Sequence, residues 1–230
     1  MTQLIRLLKS NARLSNSDIA TMLGVTETAV ANEIEALEKS GQRGDYDAAR
    51  WLYVPDFYTE YRYILGTRGE KPLICIGVNP STAAPDALDP TLQSVQRIAL
   101  SNGYDSFIMF NVYAQRATRP NDMDAALNEH LHAENMAAFR YVLEASLPRR
   151  PAVWAAWGNI IEMRPYLPRC VSDMLAVGEE LGAEWFTAGK RSVKGHPHHP
   201  LYLRRDTPLD PFDVKSYIDT LEGRTHHAEL

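Results

Sequence analysis

Cysteine is scarce in this chain, with only Cys75 and Cys170 among 230 residues. Two thiols exclude a disulfide framework and a thiolate zinc cluster, and both read as buried or half-buried hydrophobes. Long apolar runs are missing too. No stretch approaches the roughly 18 residues that a membrane span needs, and the first residues lack the charge pattern and apolar centre of a secretory signal. The expected location is the cytoplasm, with no membrane partner. Glycine-rich dinucleotide and Walker loops, GxSxG and HExxH are also absent, which removes support for dinucleotide, ATP, serine-hydrolase and zincin chemistry. No cofactor is expected. Basic residues are outnumbered, 24 against 29 acidic, and a net charge of −5 argues against nucleic acid coating the whole surface. Acids are in turn missing from residues 190–205, which hold Lys190, Arg191, Lys194, Arg204, Arg205 and three histidines. That stretch reads as an anion or phosphate surface, or as a solvated loop balancing acids elsewhere.

With 45% apolar and 23% charged residues, the chain can build one good core or a small and a larger domain. Its most informative feature is GVNPST at residues 77–82, because it follows PLICI, a short apolar run that reads as a buried strand. Open α/β sheets bind ligands at such strand ends. Three further runs repeat the arrangement. FIMFNVYAQRAT leads into Asn111, Tyr113 and Arg116, AVWAAWG ends at Trp157, and EWFTAGK opens into GHPHHPLYL. Helical spacing between these runs, with Asp89 and Pro90 starting one helix and Asn102-Gly103 ending it, predicts a three-layer α/β/α domain over residues 51–222 with a mostly parallel central sheet. The aromatic-rich residues 51–66 read as an edge strand or hairpin. A linker is expected at 43–50 and a flexible tail at 223–230.

The strand-end residues suggest chemistry. Asn79, set before Pro80 and beside Ser81 and Thr82, can position a water or read a base edge, or close a turn through its own backbone. Asn111 can make two hydrogen bonds to a nucleobase-like edge, and Tyr113 can stack on a ring. Arg116, Trp157 and Lys194 join them as substrate-binding candidates. His196, His198 and His199 admit three readings: a zinc site, which lacks partners at ligand spacing, a donor to a developing anion, or a structural loop. Asp89 reads as a helix cap.

Residues 1–42 read as a separate unit of three short helices, with Ser15 and Thr26 as caps and Gly41 as a stop. Ala20, Gly24 and Val30 sit where a helix-turn-helix needs a small residue, a turn glycine and an apolar anchor. Through NARLSNSDIATMLGVTETAV this segment resembles the helix-turn-helix of Lrp/AsnC-type regulators, which implies DNA binding. Thr26, Thr28, Ala29 and Asn32 could present base-reading groups, and Lys190 and Arg191 are further DNA-contact candidates. The helix from Thr26 carries four glutamates against one lysine, which opposes phosphate binding, so a packing module or a homodimer interface is the competing reading.

WLYV, YRYIL, GVNPSTA, DPT, FNVYAQRAT, AWG and GHPHHPLYL together resemble an uncharacterised bacterial domain family marked by NPSTA and HPLY motifs. More distantly, GVNPS is similar to the GINPG loop, AVWAAWG to the LLLWG strand and HPHHPL to the HPSPL loop of the uracil-DNA glycosylase superfamily. That similarity implies metal-free cleavage of an N-glycosidic bond in DNA or a nucleotide. Asn79 would orient the water, Asn111 would read the base, and His196 or His199 would stabilise the departing base. The alternative is a DNA-binding regulator whose α/β domain senses a nucleobase-like or phosphorylated ligand.

Overall fold

The computed structural model describes residues 26, 28–29, 46–56 and 59–228. In chain order, β1 (Trp51–Val54), β2 (Ile64–Thr67) and β3 (Pro72–Gly77) precede α1 (Pro90–Ser101) and β4 (Ser106–Asn111). After α2 (Glu129–Glu144) come β5 (Ala152–Ala155), a short 3-10 turn at Gly158–Glu162, α3 (Leu167–Glu180), β6 (Glu184–Ala188), β7 (Leu209–Pro211) and α4 (Val214–Ala228). The domain is mixed α/β, with one seven-stranded sheet in the order β1-β2-β4-β3-β5-β6-β7.

The four central strands, β4, β3, β5 and β6, are parallel neighbours. The expected mostly parallel sheet needs a correction at its margins, where β1, β2 and β7 all join antiparallel. Residues 51–67 supply the hairpin at one edge, but its strands are Trp51–Val54 and Ile64–Thr67, and Tyr61 and Tyr63 lie in the connection. Strand β7 lies in TPLDPF, whose prolines argue against a strand. An edge strand needs ladder bonds on one side only, so proline is tolerated there.

Each central strand is apolar on both faces, as a covered parallel sheet requires. On one face Ile74, Ile76, Ile108, Phe110 and Val153 pack with Phe139 and Val142 of α2, Leu167 and Val171 of α3, and Tyr217 and Ile218 of α4. On the other, Leu73, Cys75, Phe107, Met109 and Trp154 pack with Leu92, Val95 and Ile98 of α1 and with Trp51 and Tyr53. Helix α1 has the signals expected of it. Asp89 accepts from the Leu92 amide at 2.9 Å, proline follows at the first helical position, and Gly103 takes φ 79° after the end. Helix α4 extends past Glu222 to Ala228, beyond the boundary read from the sequence.

From β3 the chain moves to β4 on one side, then crosses back to β5 on the other. The connections leaving β3 and β5 therefore run in opposite directions, which opens a crevice at their carboxyl ends.

Candidate functional site

The crevice is occupied by a pocket of about 500 Å³, counted to its open mouth and lined by Asn79, Asn111, Trp157, His199, Asp89 and Arg62 among others. Much of that space is open to solvent, and the enclosed part is about 100 Å³, smaller than a drug-sized site. Ser81, Thr91, Met109 and Ile160 complete much of the wall. Thus Asn79, Ser81, Asn111, Trp157 and His199 of the sequence candidates come together. Thr82, Tyr113, Arg116, Lys194 and His196 do not line it.

Backbone pairing beyond the strands sets the floor. The amides of Val112 and Tyr113 donate to the carbonyls of Gly77 and Val78, both at 2.9 Å, and Ala117 donates to Pro80 at 2.8 Å. The loops after β3 and β4 therefore run together. Asn79 Nδ2 locks them, donating to Pro80 at 3.0 Å and Ala117 at 2.7 Å. The side chain thus ties one loop to the other through its donors and closes no turn through its oxygen, which leaves Oδ1 without a hydrogen-bond partner among the described residues. The Asn111 amide, oriented to satisfy its donors, gives Nδ2 to the carbonyls of Asn79 at 3.2 Å and Phe110 at 3.3 Å. Asn135 of α2, unnoticed in the sequence, donates to the Asn111 carbonyl at 3.0 Å and fixes the end of β4.

The two histidines separate cleanly. His196 is fully buried: its Nδ1 lies 2.9 Å from the Tyr217 hydroxyl, which also accepts from Trp157 Nε1 at 3.0 Å. Its Nε2 lies 3.2 Å from Glu162 Oε1. His196 accordingly packs behind Trp157 and is not part of the pocket wall. His199 faces the pocket, packed on Gly158, whose φ of 63° turns the chain after β5. The Leu201 amide donates to His199 Nδ1 at 3.3 Å, so the neutral ring carries its proton on Nε2. Burial, helped by neighbouring His198 and opposed by Asp89, pulls the imidazole below its ordinary 6.5.

Three other candidates are redirected. Tyr113 is buried, donates to Asp124 at 2.7 Å and packs on Tyr166, so it cannot stack on a pocket ligand. Arg116 is a buried strut donating to the Ser81 carbonyl and, at 2.8 Å, to the Tyr53 hydroxyl of β1. Lys194 pairs with Glu162. Burial would raise the Glu162 carboxyl, but Lys194 and His196 outweigh it and hold the group below its usual range. The His-rich run forms no zinc site, since its three rings face different partners, and among the described residues no His, Cys, Asp or Glu group could hold a metal.

Arg62 is the residue that sequence reading missed. It is 1% exposed, lines the pocket and donates to the Ala83 carbonyl at 2.9 Å. Its position in an aromatic-rich run hid it. Asp89 is both the cap expected and part of the wall. Of the DNA-contact candidates, Thr26 and Thr28 are exposed, and Thr26 caps its helix by accepting from Ala29 at 3.2 Å. Asn32 and the rest of the three-helix reading, including Ser15, Ala20, Gly24, Val30 and Gly41, lie outside the described residues. Lys190 and Arg191 are exposed, the latter with its guanidinium 5.6 Å from the Phe212 ring centre. Among the described residues no helix is long and apolar enough to cross a membrane.

Two family profiles match the chain. Residues 62–201 match a protein of unknown function (DUF1643), and residues 2–38 match the AsnC-type helix-turn-helix domain. The latter points to interaction with DNA. No curated protein and no solved structure matches, so the likeness to uracil-DNA glycosylases gains no support from these comparisons.

Proposed function

The chain belongs to the DUF1643 family of unknown function, so no activity comes with its membership, and we propose that it is a DNA-binding regulator whose pocket senses a nucleobase-like ligand. The observation that carries the ligand is the convergence of Asn79, Asn111 and His199 on one pocket at the carboxyl ends of the central strands. A planar heterocycle suits it. The Asn79 oxygen accepts, the His199 Nε2–H donates, and the Trp157 ring and Met109 supply apolar contact. The N-terminal unit supplies the DNA contact. Its four glutamates limit nonspecific attraction to phosphate, so this account expects binding that depends on sequence more than on charge.

Full-length protein tested against a randomised duplex library should enrich a discrete sequence, and nucleobases or nucleoside monophosphates should raise its melting temperature. A chain that enriches no duplex and is stabilised by none of these ligands is not such a regulator.

A second reading places hydrolysis of an N-glycosidic bond in the same pocket. It is favoured by one feature: Asn79 has its donors tied to backbone and Oδ1 available to orient a water, across from a neutral histidine. The water oxygen would bond to the anomeric carbon as the carbon–nitrogen bond breaks, the electron pair leaving with the base and one proton of the water passing through solvent to the released base. His199 Nε2–H would stabilise that charge. Release of free base from uracil-containing or mismatched oligonucleotides, abolished in His199→Ala, would establish it, and intact substrate would exclude it for those substrates.

A further inference from the structure

The residues beside the pocket mouth carry a feature that neither the helix-turn-helix nor the pocket uses. Tyr202 is 91% exposed and holds φ at 69°, a region that a bulky side chain rarely adopts. It sits in the turn closed by Leu203 N donating to the Pro200 carbonyl at 3.2 Å, at the position where glycine or asparagine is usual. The turn is anchored, because Ser94 of α1 donates to that same carbonyl at 2.7 Å. Leu203 packs toward the core while Tyr202 projects outward. A second turn, closed by Gly195 N to the Ser192 carbonyl at 2.8 Å, exposes Val193 fully. Around both lie exposed cations, of which Lys194 pairs with Glu162 and Arg204 with Asp206, while Lys190 and Arg205 make no ion pair among the described residues.

We infer that this segment is a stacking platform for single-stranded nucleic acid, with a base resting on Tyr202 and phosphates on Lys190 and Arg205, so that the pocket's ligand is a base within a strand. The inference rests on the reading that the pocket takes a nucleobase. Charge selects a polyanion as the partner. Geometry selects a single strand, since an outward ring can bury its faces only against a base whose own faces are open, whereas a duplex keeps them stacked. Base–aromatic stacking is also tolerant of sequence. His199, which lines the pocket, lies three residues before Tyr202 and is tied to the intervening Leu201 amide, so a strand lying on the ring passes the pocket mouth.

The test uses the full chain and fluorescence anisotropy with labelled oligothymidylate, as a single strand and paired with oligoadenylate. Tyr202→Gly, which suits the positive φ, should keep or raise the melting temperature and weaken single-strand binding on the order of tenfold or more. Tyr202→Phe should retain it. Lys190→Ala with Arg205→Ala should flatten the salt dependence. Unchanged affinity in Tyr202→Gly, or no single-strand binding by the wild type, overturns the inference. In that event, stabilisation by free nucleobases would leave the pocket reading standing; conversely, single-strand binding that is lost in Tyr202→Gly, with no response to any nucleobase, would overturn the pocket reading instead.

Discussion

Replacing Asn79 by alanine removes both hydrogen bonds from Nδ2, to Pro80 at 3.0 Å and to Ala117 at 2.7 Å. Ala117 is buried, so its carbonyl loses a partner that water cannot readily replace. Two such bonds at about 0.5–1.5 kcal/mol each give a loss of about 1–3 kcal/mol. For a chain of this size that lowers the melting temperature by roughly 2–12 °C. The loop keeps its place, because the Ala117 amide still donates to Pro80 at 2.8 Å. Asn79→Asp makes a sharper comparison. It is nearly the same shape, yet it aims a carboxylate at two carbonyl oxygens, so at neutral pH it should be less stable than Asn79→Ala and should recover on acidification as the carboxyl protonates. Thermal and urea melts of the three proteins measure this order. A melting temperature unchanged in Asn79→Ala, or an aspartate variant as stable as wild type at neutral pH, refutes the reasoning that the amide locks the two loops.

The depressed pKa of His199 means that, below 6.5, the unfolded chain binds a proton that the folded chain resists. Wild type should therefore lose stability as pH falls below about 6.5, and His199→Gln should flatten that part of a stability–pH profile. Tyr217→Phe leaves the buried Trp157 indole and His196 without their shared hydroxyl, and should cost about 1–3 kcal/mol in a urea melt. At Gly66 an added Cβ would lie 2.8 Å from Ile108 Cα and closer still to the Phe107 carbonyl, both backbone of β4. Gly66→Ala should then destabilise by about 3 kcal/mol, read as a lowered urea midpoint, because the β2–β4 ladder must part.

Local signals made much of the fold legible. Asp89-Pro90 and Asn102-Gly103 mark the ends of α1 because capping and positive φ are decided by neighbouring residues. The apolar runs at residues 73–77 and 106–111 declare covered strands, and Asn79, Ser81 and Asn111 at their ends do meet at one pocket. Tertiary choices were not legible. His196 and His199 share one run, and only the packing of Tyr217 against the first and Gly158 against the second separates them. Tyr113 and Arg116 look like ligand groups in sequence, but the chain past β4 turns their polar atoms toward Asp124, Tyr53 and Ser81. Arg62 could not be singled out, since nothing local tells a cation buried over a carbonyl from one in solvent. The antiparallel margin at β7 was hidden by the prolines an edge strand tolerates.

The central claim is that the pocket at the ends of β3, β4 and β5 binds a nucleobase-like group. Calorimetric titration of the full chain with the nucleobases and their nucleoside monophosphates, beside Asn111→Ala, tests it most directly. The account predicts saturable binding of at least one of them to wild type, weakened about threefold to tenfold in the variant, since Asn111 Nδ2 is spent on backbone carbonyls and only its Oδ1 is left to a base edge. Binding of none of them, or equal binding by Asn111→Ala, would contradict it.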